Sequence, residues 1–149
     1  MPNHDTSHQI HASAVAIDGR GVLFLGPSGS GKSDLALRLI DRGARLIADD
    51  RVDLTRHGTR VTVSAPARIA GLLEVRGLGI LRFPYVEAPL THAIELVAVD
   101  AVDRLPAPDA ELFCGIAIPI LRLHPFEYTA PIKVELAVRA ISARVESLL

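Results

Sequence analysis

A single cysteine, Cys114, leaves this chain no internal disulfide and no cysteine-rich zinc site. Such sparing cysteine use points to the reducing cytoplasm as the expected compartment. Tryptophan is absent and aromatics make up 4% of the residues, too few for a surface that stacks a run of bases or sugars. Neither sign of charge dominates: 16 Lys+Arg oppose 17 Asp+Glu for a net charge of −1. Without a basic excess, a polyanion-coating role is excluded. No apolar run approaches the roughly 20 residues that span a bilayer. The polar start Met1-Pro2-Asn3-His4-Asp5-Thr6-Ser7-His8 lacks the basic-then-apolar order of a signal peptide. Internal repeats and low-complexity tracts are missing as well. What is present is 149 residues, 49% of them hydrophobic. That length buries roughly 68–70% of its unfolded surface, so one soluble domain without a metal or disulfide staple is expected.

Periodicity and turn chemistry predict an α/β fold, a mixed β-sheet with flanking helices. Residues 1–10 read as a flexible N-terminal tail and 11–149 as one domain. A strand over 11–18 turns through Asp18-Gly19-Arg20-Gly21 into a buried strand over 22–25, close enough for an antiparallel hairpin. A helix is predicted over 32–42, with Leu35, Leu39 and Ile40 on one face and Gly43 closing it. Residues 45–48 read as a strand, and 52–55 with 61–63 as a second hairpin. The stretch 67–73 is open between a short helix and irregular chain. Pro84, Pro89, Pro106 and Pro108 mark loops, and His92 and His124 are taken as loop residues beside prolines. Residues 94–99 alternate as a strand. Residues 116–123 read as an edge strand, or as one that ends at Pro119. Pro131 opens a last helix with its stripe at Val134, Val138, Ile141, Val145 and Leu148. Cys114 reads as a small core residue.

The strongest chemical signal is Gly26-Pro27-Ser28-Gly29-Ser30-Gly31-Lys32-Ser33, of the form G-x-x-x-x-G-K-S (Walker A). Glycines let the chain curl until successive backbone N–H groups point inward at phosphate oxygens. A helix opening from the loop adds unpaired donors and partial positive charge. Lys32 would place an ammonium on the terminal phosphates and Ser33 a hydroxyl on Mg²⁺. An apolar strand directly before and an amphipathic helix directly after supply the context such a loop requires. Nucleotide binding, with ATP and Mg²⁺ as ligands, is therefore expected. A tight hairpin feeding the loop is foreign to an all-parallel sheet and argues against a standard small-molecule kinase.

Two further segments carry charge where phosphoryl chemistry could use it. Asp49-Asp50 ends a short strand sixteen residues beyond Ser33. Spacing alone leaves a metal-holding or proton-accepting pair and a plain surface turn equally open. Adjacent strand residues point to opposite faces, so one Asp should act and the other support it. In Glu74-Val75-Arg76-Gly77-Leu78-Gly79, Glu74 could face a metal and Arg76 a transferring phosphoryl group. Read alone, the pair is a surface ion pair beside a glycine turn. His4, His8 and His11, spaced four and three, lack the rigid setting a zinc site demands.

Together the loop, Arg42-Gly43-Ala44-Arg45-Leu46-Ile47-Ala48-Asp49-Asp50-Arg51-Val52 and Leu73-Glu74-Val75-Arg76-Gly77-Leu78-Gly79-Ile80 resemble the catalytic C-terminal domain of HPr kinase/phosphorylase. The resemblance runs from about residue 11 to the last helix. It implies a phosphoenolpyruvate-carboxykinase-like type of phosphate-loop fold. It also implies an ATP-dependent kinase that phosphorylates a serine of an HPr-like phosphocarrier of a bacterial phosphotransferase system and can reverse the reaction by phosphorolysis. By the same resemblance Lys32 is the phosphate-binding lysine, and Ser33 with Glu74 hold Mg²⁺. Asp50 is the aspartate that accepts the serine proton, His11 tunes that site, and Asp103-Arg104-Leu105 offers Arg104 to the transferring group beside Arg76. The resemblance further implies a homo-oligomer, a hexamer, while charge balance and the lack of a long apolar run lead us to expect no nucleic-acid or membrane partner.

Two departures are visible. Only ten residues precede His11, as in the truncated form of some proteobacteria. After residues 116–119, where the family carries Pro-Val-x-x-Gly-Arg-Asn, this chain reads Leu121-Arg122-Leu123-His124-Pro125-Phe126-Glu127-Tyr128. That exchange separates phosphorolysis and partner recognition from the rest of the implied function. A small-molecule kinase with a metabolite acceptor and a non-catalytic nucleotide-binding regulatory module stay open as alternatives.

Overall fold

The computed structural model describes residues 7–139. In chain order it contains β1 (Ser7–His11), β2 (Ser13–Ile17), β3 (Arg20–Leu25), α1 (Lys32–Asp41), β4 (Arg45–Ala48), β5 (Arg51–His57) and β6 (Arg60–Ser64). A 3₁₀ turn at Ala67–Ile69 leads to β7 (Leu72–Val75), β8 (Gly79–Arg82) and β9 (Ala88–Leu96). Another at Val99–Ala101 precedes β10 (Ala110–Phe113), β11 (Ile116–Leu123) and α2 (Ala130–Arg139).

Nine strands share one curled sheet. Its main path is β1-β5-β6-β9-β3-β2-β4; β11 joins β9, β10 joins β11, and β7 with β8 form a separate ribbon. The curl centres on β9. Its first residues lie antiparallel to β6, with Val63 opposite Ala88. Further along, Ala93 sits between Leu23 of β3 and Ile120 of β11, parallel to both. The mixed α/β class expected from the sequence is what the chain adopts.

Alternation along β2 and β3 explains why they lie at the centre. Ala14, Ala16 and Leu23 enter a core inside the curl with Val52, Leu54, Val61, Val63 and Ile120. Val15, Ile17, Val22 and Phe24 face the other way and pack under Leu35, Ala36 and Leu39 of α1 and Val134 and Val138 of α2. Strands buried on both faces read as unbroken apolar runs, which these do. Asp18 and Gly19, at φ 52° and 77°, turn β2 back into β3 in the left-handed pair that a two-residue hairpin favours. Gly43, at φ 111°, closes α1 by donating to the Ile40 carbonyl at 3.0 Å.

Several expectations need correction. Residues 7–10, taken as tail, pair with β5 from Ser7↔Thr55 to His11↔Arg51. A backbone ladder on a largely exposed edge strand requires no apolar alternation, so none announced it. The single strand expected over 11–18 breaks at Ala12, whose N–H donates to Asp50 O at 3.1 Å. Pro89 and His92, assigned to loops, lie within β9. Pro89 stands opposite Thr62 near the strand's start, where a missing donor is tolerated. β11 runs straight through Pro119, which pairs with Ala110 while Ile120 donates to Asp109 O at 3.1 Å. Pro119 therefore falls between bonded pairs, and its absent N–H breaks no bond to β10. Cys114 is half-buried in the β10–β11 turn at φ 52° rather than inside the core. Desolvation raises its thiol pKa, which the Arg56 charge partly offsets. His4 and the stripe positions Ile141, Val145 and Leu148 lie outside the described residues.

Candidate active site

Between β3 and α1 the glycine-rich loop bends through Gly26, Gly29 and Gly31 at φ 157°, 82° and 103°. A Cβ on Gly26 would meet Ser30 Oγ at 2.5 Å, so the loop curls tightly onto itself. Ser30 Oγ is buried inside it with no hydrogen-bond partner among the described residues. Lys32, only 7% exposed, folds back so that its ammonium donates to the carbonyls of Gly26 at 2.7 Å and Pro27 at 3.1 Å. The lysine is thus held across the loop's mouth by the loop itself.

Asp49 is the polar centre of the site, 8% exposed. Its Oδ1 accepts from Ser33 Oγ at 2.5 Å and Ser13 Oγ at 2.9 Å, and its Oδ2 accepts from the Glu74 N–H at 3.2 Å. One carboxylate thereby joins α1, β2 and β7. Because Ser33 gives its proton to Asp49, its oxygen lone pairs stay free for a cation. The next residue behaves differently. Asp50 is exposed and left-handed at φ 70°, a conformation Asp tolerates better than most residues. Its N–H donates to Ser13 Oγ at 3.1 Å, and its carbonyl accepts from Ala12. The β4–β5 reversal is therefore pinned to β2 from both sides. The two side chains part because Asp49 and Asp50 sit in the turn between β4 and β5, with Asp50 left-handed, and not through the alternation of strand residues expected from the sequence.

A cleft of about 610 Å³ runs past these groups, lined by Ser28, Gly29, Gly31, Lys32, Ser33, Asp34, Leu37, Asp49, Asp50, Glu74, Val75, Arg76 and Phe126. Glu74 lies on β7 and Arg76 just beyond its end, both exposed, and no ion pair joins them among the described residues. His11 ends β1 opposite Arg51, so it borders the Asp50 turn without lining the cleft. Arg104 lies in the exposed connection before β10, outside the cleft lining. Three contributors escaped the sequence reading. Ser13 left one faint signal, a hydroxyl at the start of an otherwise apolar, buried strand. Phe126 left none, because it arrives from chain distant from the loop. Arg38, on the helix that the loop opens, left none because its partners are backbone carbonyls of that distant segment.

The family model described as HPr Serine kinase C-terminal domain matches residues 4–86, a span that contains the loop, Asp49, Asp50, Glu74 and Arg76. The chain belongs to that family. It is 47% identical over 97 residues to HPr kinase/phosphorylase of Clostridium tetani, covering 65% of this chain and 32% of that protein. With the HPr kinase/phosphorylase of Lactiplantibacillus plantarum it shares 52% over 73 residues, 48% of this chain and 23% of the relative. The chain thus spans less than a third of the length of these curated relatives. Among solved structures, the Hpr(Ser) kinase/phosphatase from Coxiella burnetii superposes with a TM-score of 0.81 at 29% identity, covering 91% of this chain and 97% of that one. The mixed sheet and its two helices are accordingly the architecture of an HPr kinase domain. Residues 124–128 fall outside the family-model match.

Proposed function

We propose that this chain is the catalytic domain of a cytoplasmic, ATP-dependent protein serine kinase acting on an HPr-like phosphocarrier of a bacterial phosphotransferase system. Its fold would be of the phosphoenolpyruvate-carboxykinase-like phosphate-loop type. The observation that carries this reading is the Asp49–Asp50 turn. One carboxylate is buried as the anchor of Ser33 and β7, while the other is exposed in the same cleft as Lys32.

The donor set fits a magnesium–nucleotide ligand. Carboxylate and hydroxyl oxygens suit Mg²⁺, and the unpartnered Ser30 Oγ with the curled amides suits phosphate oxygens. Ser33 and Glu74 would hold the ion, with Asp49 orienting the Ser33 hydroxyl. When bound, the ion neutralises charge on the transferring group. The chain's own residues do the rest. Lys32 exchanges its two loop carbonyls for phosphate oxygens, and the N-terminal amides of α1 hold them in place. Asp50 takes the proton of the carrier's serine hydroxyl as the serine oxygen bonds the γ-phosphorus and the bond to the leaving ADP breaks. Arg76 neutralises charge on the moving phosphoryl group. His11, bordering that turn, would keep the supporting role that the resemblance gives it, and Arg104 would act only if its connection reaches the cleft. Self-association into a hexamer belongs to the same reading.

Incubation with labelled ATP, with and without an HPr-like carrier, tests it: label is expected on a carrier serine. Label on a metabolite would instead favour a small-molecule kinase, and binding without transfer a regulatory module. Asp50→Asn should abolish transfer while sparing ATP affinity, and Lys32→Ala should weaken affinity as well. Undiminished transfer by the Asn variant would remove Asp50 from the mechanism.

A further inference from the structure

Three parallel strands, β3, β9 and β11, end along one edge of the sheet, at Leu25, Leu96 and Leu123. Ligands of α/β sheets lie outside such carboxyl ends. The connection after β3 is the glycine-rich loop. The connection after β11 is His124-Pro125-Phe126-Glu127-Tyr128-Thr129, and it delivers Phe126 to the same cleft. The fit is close: a Cβ on Gly31 would meet Phe126 Cζ at 2.9 Å and Pro125 Cβ at 3.1 Å.

The strap carrying this ring is fixed on all sides. Arg38 donates to both carbonyls that flank Phe126, that of Pro125 and that of Glu127, the latter at 3.3 Å. The Arg38 Nε lies 3.0 Å from Asp34 Oδ2. Glu127 is paired with Lys133 at 2.7 Å, and His124 Nδ1 lies 3.0 Å from the Val97 carbonyl. The His124 ring packs edge-on to Phe126 with centroids 5.8 Å apart. Phe126 itself stays 60% exposed. An apolar ring held rigidly, touching the loop with its tip and open to a largely polar cleft, is a surface waiting for a flat apolar partner.

We infer that Phe126 is the platform on which the base of the bound nucleotide stacks. The inference deepens the kinase reading and rests on it, since the phosphates must occupy the loop for the base to lie against the strap. The cleft volume is within the range of small-ligand sites. An aromatic ring binds a base through its π-face, whatever hydrogen bonds the base offers.

The test separates base from phosphates by comparing Mg–ATP with Mg–tripolyphosphate in calorimetry. Phe126→Ala should weaken ATP binding by roughly 5- to 150-fold, the range for losing one stacked base, and leave tripolyphosphate affinity unchanged. Phe126→Tyr should keep wild-type ATP affinity. Because the chain has no tryptophan, Phe126→Trp adds a single indole, excited apart from the two tyrosines, that ATP should quench and tripolyphosphate should not. Equal weakening of both ligands by Phe126→Ala would overturn the inference, showing that the strap merely braces the loop. Unaltered ATP affinity would overturn it too. A wild-type protein that binds neither ligand would instead remove the loop reading beneath it.

Discussion

At the scale of single residues, burial decides which polar groups can change charge. His92 lies on β9, 7% exposed, with Nδ1 2.8 Å from Thr91 Oγ1 and Nε2 without a partner among the described residues. Burial first, and then the Arg20 charge, lower its pKa below the usual histidine value. A depressed histidine pKa means that the unfolded chain takes up the proton first as pH falls. Stability from neutral His92 is complete above about pH 6.5 and is lost progressively below it. The melting temperature should therefore drop between pH 7.5 and 5.5, and His92→Gln should show a smaller drop over that interval. Equal drops in both proteins would show that other groups govern the acid limb. The Asp49–Asp50 pair makes the complementary point, since neighbouring identical residues on one cleft differ in exposure, Asp49 being buried against Ser13 and Ser33 and Asp50 exposed.

At the scale of elements, the start of α1 is where loop, helix and strap meet. Gly31 and Gly29 are both left-handed, so a side chain at either costs on the order of 1–2 kcal/mol in backbone strain. They differ in surroundings. A Cβ on Gly29 meets nothing within 4 Å, whereas on Gly31 it strikes Phe126 and Pro125. Gly31→Ala should lose about 1–3 kcal/mol more than Gly29→Ala in urea unfolding, because Arg38 holds the strap against retreat. Matching losses would mean that the strap yields freely. On the far side, Arg42 at the end of α1 places Nε and Nη2 3.0 and 2.7 Å from Glu135 Oε1 of α2. The helices that cover the sheet are thereby oriented relative to each other. The Glu135 hydrogen bond is also the main reason the Arg42 pKa is raised.

At the scale of the whole molecule, β2 and β3 send alternate side chains into both cores, so neither core persists without the other. Urea unfolding followed by far-ultraviolet circular dichroism and by the fluorescence of a Phe126→Trp variant should give coincident, single transitions. Separate midpoints would show that the layer beneath the helices comes apart independently of the curl. The curl also explains why distant chain meets at the site. β9 passes from β6 to β3, the Asp49 contacts gather β2, α1 and β7, and β11 carries Phe126 to the loop.

Elements whose stabilising contacts are local or periodic were legible by sequence alone: the β2–β3 hairpin with its Asp-Gly turn, the glycine-rich loop, α1 and its closing Gly43, and the β5–β6 hairpin. These depend on φ preferences and on the spacing of apolar side chains, which neighbouring residues specify. Sequence also singled out Lys32 and Ser33 by the spacing of the loop, whereas Asp49-Asp50, Glu74 and Arg76 stayed open on spacing and became candidates through the family resemblance. Folding in three dimensions alone decided that Ser7–His11 is a strand, that Pro89, His92 and Pro119 lie within strands, and that Asp49 is buried while Asp50 is exposed. It also decided that Phe126 lies against Gly31. Each of these follows from backbone pairing or close packing between segments far apart in the chain, and such contacts leave no periodic trace in either partner.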